Sequence, residues 1–312
     1  MIVKNNNLLK SNNFLKNNKK KEIYNDLLKM IGVEKQKKVF VSTHKGLAKE
    51  IEKISPDIKW EEEFDLIIVW TMKLLFTTFI IKEKITTWKA LEDLFEKHDK
   101  FFIKTEIEEK TGLNIGQLEN NSLLDILLSF LLLNKKDIMP KTPGLIFEKL
   151  NNGNNGSYYT PDEIVNYMAE ETITQGVITK FNEVYNKNFT TLEEWHNEIK
   201  NSNNNYNETF NLIEILDPVT GSGHFLVGAL NRLVEIKKQL GLLNKPLFEE
   251  KRDILLHNLF AVDINYKAIM VCKMRLFVEM LDNDIKDIDN LPNLDKNILC
   301  GDSLTMFNDE KV

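Results

Sequence analysis

Three aspartates stand where short apolar runs end. Asp217 closes Leu212-Ile213-Glu214-Ile215-Leu216, Asp263 closes Leu259-Phe260-Ala261-Val262, and Asp302 follows Asn297-Ile298-Leu299-Cys300-Gly301. After the first acid comes Pro218-Val219-Thr220-Gly221-Ser222-Gly223-His224-Phe225. Gly221 and Gly223 let the backbone turn sharply and come close to a ligand. A phosphate cradle would add a third glycine or end in Gly-Lys-Ser/Thr, and this segment does neither. An acid ahead of the glycines repels pyrophosphate and attracts an ammonium group, which points to a ligand bearing an amino acid. Asp263 can accept both hydroxyls of a ribose or cap the helix that follows. Asp302 can accept an amino group such as that of adenine, or serve as a cap or turn residue.

A fourth segment lies upstream, Gly156-Ser157-Tyr158-Tyr159-Thr160-Pro161-Asp162-Glu163. Thr160 with Glu163 predicts a capping box, and Pro161 is suited to the first helical position. Tyr158 and Tyr159 offer aromatic faces, and the helix start offers donors for a carboxylate. Asp57 and Glu108-Glu109-Lys110 have the local spacing of an Asp…Glu-x-Lys nuclease. Glu249-Glu250-Lys251 has that spacing too, and in a chain this rich in Glu and Lys the pattern is expected to be structural.

The elements that must position these residues alternate strand and helix in the second half. The three apolar runs read as strands. Phe225, Leu226, Leu230, Leu233 and Val234 form an amphipathic helix that Gly241 is placed to stop, and another helix runs from about Lys267 to Leu281. This is the pattern of a parallel α/β sheet, where ligands sit beyond the carboxyl ends of the strands. Residues 20–150 read as mostly helical, with Leu91, Leu94 and Phe95, and Leu123, Leu124, Leu127, Leu128, Leu131 and Leu132, at helical spacing. These stripes are expected to be core. The polar loop 151–156 marks a boundary between a helical region, 1–150, and an α/β region, 151–312. Asn201 to Asn207 reads as a surface excursion within the second region.

With 42% hydrophobic and 28% charged residues among 312, the composition excludes a disordered or collagen-like chain. Two cysteines, Cys272 and Cys300, do not form a disulfide framework, and they fit free thiols in a reducing cytoplasm. The apolar window from Leu66 to Ile81 contains Lys73 and is too short for a clean membrane span, so a buried helix is expected there. Residues 1–50 carry twelve lysines against four acids, within a chain of net charge -6. That basic segment is able to touch phosphates, but no aromatic residues are interleaved to support base contacts, so a solvated helix face is the favoured reading.

Taken together, Gly-Ser-Tyr-Tyr-Thr-Pro (156–161), Leu-Asp-Pro-Val-Thr-Gly-Ser-Gly-His-Phe-Leu-Val (216–227), Asn-Leu-Phe-Ala-Val-Asp-Ile-Asn (258–265) and Leu-Pro-Asn-Leu-Asp-Lys-Asn-Ile-Leu-Cys-Gly-Asp-Ser-Leu (291–304) resemble the ordered motifs of gamma-class N6-adenine DNA methyltransferases. The similarity is closest to the methyltransferase part of type II (type IIG-like) restriction-modification enzymes and covers roughly residues 140–306. The resemblance implies an incomplete Rossmann-like sheet that binds S-adenosylmethionine (SAM). It implies that Tyr159, Thr160 and Pro161 meet the methionine carboxylate and that Asp217 holds the ammonium. Pro218, Gly221, Gly223 and Phe225 would shape the loop under the methionine and ribose. Asp263 would bind the ribose, Ile264 would pack on the adenine, and Asp302 would accept from its amino group.

The chain departs from the family at two places. Val219 and Thr220 stand where the family commonly has Ala and then Cys or Val. No Asn-Pro-Pro occurs, and the residues end at Val312. In the family that motif receives the flipped adenine, so no catalytic residue is assigned. The expectation is a cofactor-binding N-terminal portion of a longer or split enzyme, with the first strand, near Ile213 to Leu216, left at a sheet edge. It would be inactive alone, with DNA as the partner of the complete enzyme and a second chain able to supply the missing motif. A non-catalytic SAM-binding or specificity module and a dinucleotide enzyme stay open as alternatives.

Overall fold

Strand-forming runs are short in this chain, so the helices between them carry most of the packing. The computed structural model describes residues 24–37, 39–80, 105–118, 142–151, 160–281 and 291–305. The chain divides into two compact units, Met1–Leu74 with Lys84–Lys135, and Leu75–Glu83 with Lys136–Val312.

The first unit contains a β-hairpin that the helical reading of residues 20–150 did not anticipate. Strand β1 (Val33–Gln36) pairs antiparallel with β2 (Val39–Ser42), from Val33 opposite Ser42 to Gln36 opposite Val39. Lys37 takes the left-handed conformation, φ 56°, that a tight turn requires. Each strand is four residues long, too short to show a clear period. Val39-Phe40-Val41 was the available signal. Helices α1 (Gly46–Ile54) and α2 (Trp60–Ile80) follow.

From Leu66 to Leu74, α2 is buried on every side, as the apolar window predicts. Lys73 interrupts that window and is held inside by Glu108 of α3 (Glu106–Thr111) at 2.7 Å. Glu108 also accepts from Trp70 Nε1 at 2.9 Å and from the Thr105 amide and hydroxyl, each at 2.8 Å. Burial lowers the Lys73 pKa, and the Glu108 charge opposes that shift. Among the described residues no helix is long and apolar enough to cross a membrane. The leucine stripes at 91–95 and 123–132, and most of the N-terminal lysines, lie outside the described residues.

In the second unit α4 (Thr142–Asn151) precedes α5 (Asp162–Tyr185), α6 (Leu192–Lys200) and the short α7 (Tyr206–Phe210). Residues 201–205 run along the surface as expected, and Tyr206 then turns inward. There it joins Phe181, Tyr185, Trp195 and Phe210 in an aromatic cluster with ring centroids 4.6–6.4 Å apart. Strands β3 (Ile215–Asp217), β4 (Leu259–Asp263) and β5 (Ile298–Cys300) form one parallel sheet in that order. Parallel neighbours need crossover connections. Here α8 (His224–Leu240) and α9 (Leu247–His257) lie between β3 and β4, and α10 (Tyr266–Leu281) lies between β4 and β5.

Gly241 ends α8 in the left-handed conformation, φ 74°. The first strand is shorter than its sequence suggests, because Leu212 is 57% exposed and only Ile215–Asp217 pair with β4. It lies at an edge of the sheet, with Leu216 48% exposed.

Candidate functional site

The parallel register brings the three acid-bearing strand ends to one end of the sheet. Asp217 pairs with Ala261 and Asp263 with Cys300, and Asp302 follows one residue after Gly301. The Gly301 amide donates to the Asp263 carbonyl at 3.0 Å, which fixes the end of β5 against the end of β4.

Asp217 is largely shielded. Its Oδ1 accepts from the Val219 amide at 3.2 Å, while Oδ2 is buried and accepts no hydrogen bond. Burial raises its pKa, the Val219 amide and the nearby Thr220 hydroxyl pull the other way, and the Asp263 charge adds a smaller push upward. This carboxylate has acceptor capacity that the described chain does not use.

Asp263 is 9% exposed and engages the backbone twice. Oδ2 accepts from the Gly221 amide and Oδ1 from the Asn265 amide, both at 2.8 Å. It does not cap α10. Asn265 does, accepting from the Lys267 amide at 3.0 Å and the Ala268 amide at 3.4 Å. Asp302 is exposed, and its Oδ1 accepts from the Leu304 amide at 2.9 Å, closing a turn. A carboxylate has about four lone-pair sites, so Asp263 and Asp302 both keep some in reserve. Ile264 is 76% exposed beside them.

The two glycines have different neighbours. Both have positive φ, 53° at Gly221 and 79° at Gly223. A Cβ on Gly223 would lie 2.5 Å from Cys272 Sγ, so the loop rests directly on α10 there. A Cβ on Gly221 would meet nothing within 4 Å. Pro218 and Val219 are exposed, and Phe225 is half-buried at the start of α8.

Thr160 is half-buried, but the predicted capping box is absent. Pro161 is the N-cap, with an extended ψ of 143° and no side-chain cap bond, and Asp162 is the first helical residue. The proline ring fixes φ but leaves ψ free to stay extended, so the helix starts one residue later than expected. The Asp162 carboxylate lies 3.0 Å from His224 Nε2 instead, joining the start of α5 to the start of α8. Gly228 lets these helices approach closely, since a Cβ there would lie 2.7 Å from Val165 Cγ1. Tyr158 and Tyr159 lie outside the described residues.

Sequence reasoning missed a buried polar group beneath the loop. Ser222 Oγ donates to Glu148 Oε1 at 2.5 Å, and Arg275 Nη1 donates to the Ser222 carbonyl at 3.0 Å. Arg275 had one legible signal, being one of two cations, with Lys273, inside the otherwise apolar run Val271–Val278. Glu148 had none. The nuclease-like pattern in the first unit has a structural explanation. Glu108 serves Trp70, Lys73 and Thr105, and Lys110 pairs with Glu62 at 3.0 Å.

No family model matches the chain. A curated protein of Methanocaldococcus jannaschii, described as "Putative type II restriction enzyme and methyltransferase", is 36% identical to it over 203 residues. The chain is similar to that protein over more than half its own length. The match takes in 56% of this chain and 17% of the relative, so the chain spans about a sixth of the relative's length. A solved structure of the Type IIL restriction-modification enzyme MmeI in complex with DNA overlaps 83% of this chain and 39% of its own. That overlap has 17% identity and a TM-score of 0.47.

Proposed function

We propose that the second unit is the SAM-binding portion of a site-specific DNA adenine-N6 methyltransferase belonging to a restriction-modification system. The reading rests on one observation above the others. Asp217, Asp263 and Asp302 stand at the ends of three adjacent parallel strands, beside a glycine loop that opens on free space at Gly221. Acids at strand ends suit a cationic ligand without phosphates. The M. jannaschii relative, described as a restriction enzyme and methyltransferase, supports the same class of chemistry.

The residues fit SAM. The unused Oδ2 of Asp217 offers an acceptor for the methionine ammonium. Asp263 holds the loop through Gly221 while keeping lone pairs for ribose hydroxyls. Ile264 presents an exposed apolar side chain suited to the adenine face, and Asp302 presents an acceptor for its amino group. Thr160 and Pro161 lie at the start of α5, and the positive end of a helix dipole suits a carboxylate. SAM, when bound, supplies an electrophilic methyl group on sulfur. The contribution of this chain is to bind and orient it. Adenine in DNA is the proposed acceptor, with target positioning and recognition belonging to the complete enzyme or to a second chain.

Calorimetric titration of the chain with SAM, NAD and ATP tests this reading. SAM is expected to bind, and NAD and ATP are not. Binding of NAD or ATP with no response to SAM would replace it with the dinucleotide alternative.

A further inference from the structure

Ser222 is the middle residue of Gly221-Ser222-Gly223, and it is 1% exposed. Two residues distant in sequence grip it. Its hydroxyl donates to Glu148 Oε1 at 2.5 Å, across 74 positions. Arg275 Nη1, 53 positions away, donates to its carbonyl at 3.0 Å and its hydroxyl at 2.9 Å. Glu148 lies on α4 and Arg275 on α10, and both are buried. Gly144 makes the arrangement possible, since a Cβ there would lie 2.5 Å from Arg275 Nη1.

Burying a carboxylate and a guanidinium is costly, and apolar residues of similar volume often fill such space at lower cost. What the polar group adds is direction. Glycines at 221 and 223 leave the loop many conformations unless something fixes it. Ser222 is held at side chain and carbonyl, and Gly221 is held by Asp263. A loop fixed before the ligand arrives spares the ligand the cost of ordering it.

We propose that Glu148 is a positioning residue for the cofactor loop, holding Ser222 together with Arg275 so that Gly221-Ser222-Gly223 is preset for SAM. The inference rests on the SAM reading above. It also makes α4 a working part of the cofactor site.

The test compares the full chain with Glu148→Ala, Glu148→Gln, Ser222→Ala and the double variant Glu148→Ala/Ser222→Ala. Phe147→Ala is the control for packing of α4. SAM affinity is read by calorimetry, and amide exchange at 221–223 is read without ligand. Glu148→Ala and Ser222→Ala should each weaken SAM binding by about tenfold, and the double variant should be no worse. Glu148→Gln should recover to within about threefold of the wild type, because its amide oxygen still accepts from Ser222. The loop amides should exchange faster in the alanine variants alone. Phe147→Ala should lower Tm and leave SAM affinity unchanged.

Wild-type affinity and wild-type loop exchange in Glu148→Ala would overturn the proposal. So would an equal loss of affinity in Phe147→Ala. If Glu148→Ala does not fold, Ser222→Ala and Glu148→Gln decide by the same criteria. If the wild type itself does not bind SAM, the SAM reading fails, and the loop exchange still decides whether Glu148 sets the loop.

Discussion

The Gly221 amide donates to Asp263 Oδ2 at 2.8 Å, across 42 residues. This bond ties the loop after β3 to the end of β4. It acts together with the Thr220 amide, which donates to the Val262 carbonyl at 3.1 Å. Asp263 therefore holds the candidate site together and is itself a candidate ligand contact. Its replacement by alanine should loosen the loop as well as remove a ribose acceptor.

The two loop glycines should fail differently. Gly223→Ala places a methyl against Cys272 in a left-handed backbone, and should cost about 2 kcal/mol or more of stability. Gly221→Ala meets open space, so only the backbone penalty of about 1 kcal/mol applies. The added methyl enters the space proposed for SAM. Denaturant melts and SAM titrations should thus show Gly223→Ala as mainly a folding defect and Gly221→Ala as mainly a binding defect. The reverse pattern would remove the ligand from that side of the loop.

Asp217 gives a prediction with a definite sign. Burial raises its folded-state pKa above the unfolded value. Its contribution to stability is therefore present below the unfolded pKa and is lost as pH rises through the folded one. Asp217→Asn should stabilise the ligand-free chain at neutral pH and lose that advantage in acid, as thermal melts across pH would show. The same substitution should weaken SAM binding at neutral pH. An ammonium beside the carboxylate favours its charged form, so wild-type binding should strengthen as pH rises through the titration of Asp217.

Glu63 offers a second pH test, in the first unit. It is 4% exposed, and its pKa is raised to about 7 by burial, with a further push from Glu52. The stability it contributes is complete below its unfolded pKa and is lost as pH rises through about 7. Glu63→Gln should raise Tm at pH 8 and leave it unchanged at pH 4. An equal Tm gain at both pH values would show that the charge of Glu63 is not responsible.

The Lys73–Glu108 pair should be intolerant of single substitution. Glu108→Ala removes the carboxylate that lies 2.7 Å from the buried Lys73 ammonium, and with it the acceptor for Trp70 and Thr105. The expected cost is about 3–5 kcal/mol in urea unfolding. Lys73→Met in the same background should recover part of it, because a buried charge is gone. A double variant less stable than Glu108→Ala would contradict this.

Local chemistry made much of the second unit legible. The runs ending at Asp217, Asp263 and Cys300 are apolar and short, the segments between them have helical spacing, and Gly241 closes α8 as its position predicts. Strands that alternate with helices can pair in parallel, and that pattern alone puts the three acids at one end. Tertiary structure decided what each acid does there. Asp263 reads as a possible helix cap in sequence, and only the folded backbone assigns the cap to Asn265 and the loop to Asp263. Glu148, Ser222 and Arg275 meet across separations of 53 and 74 residues, which no local pattern encodes. The hairpin at 33–42 shows the same limit, because four-residue strands have too few alternations to stand out from the helical sequence around them.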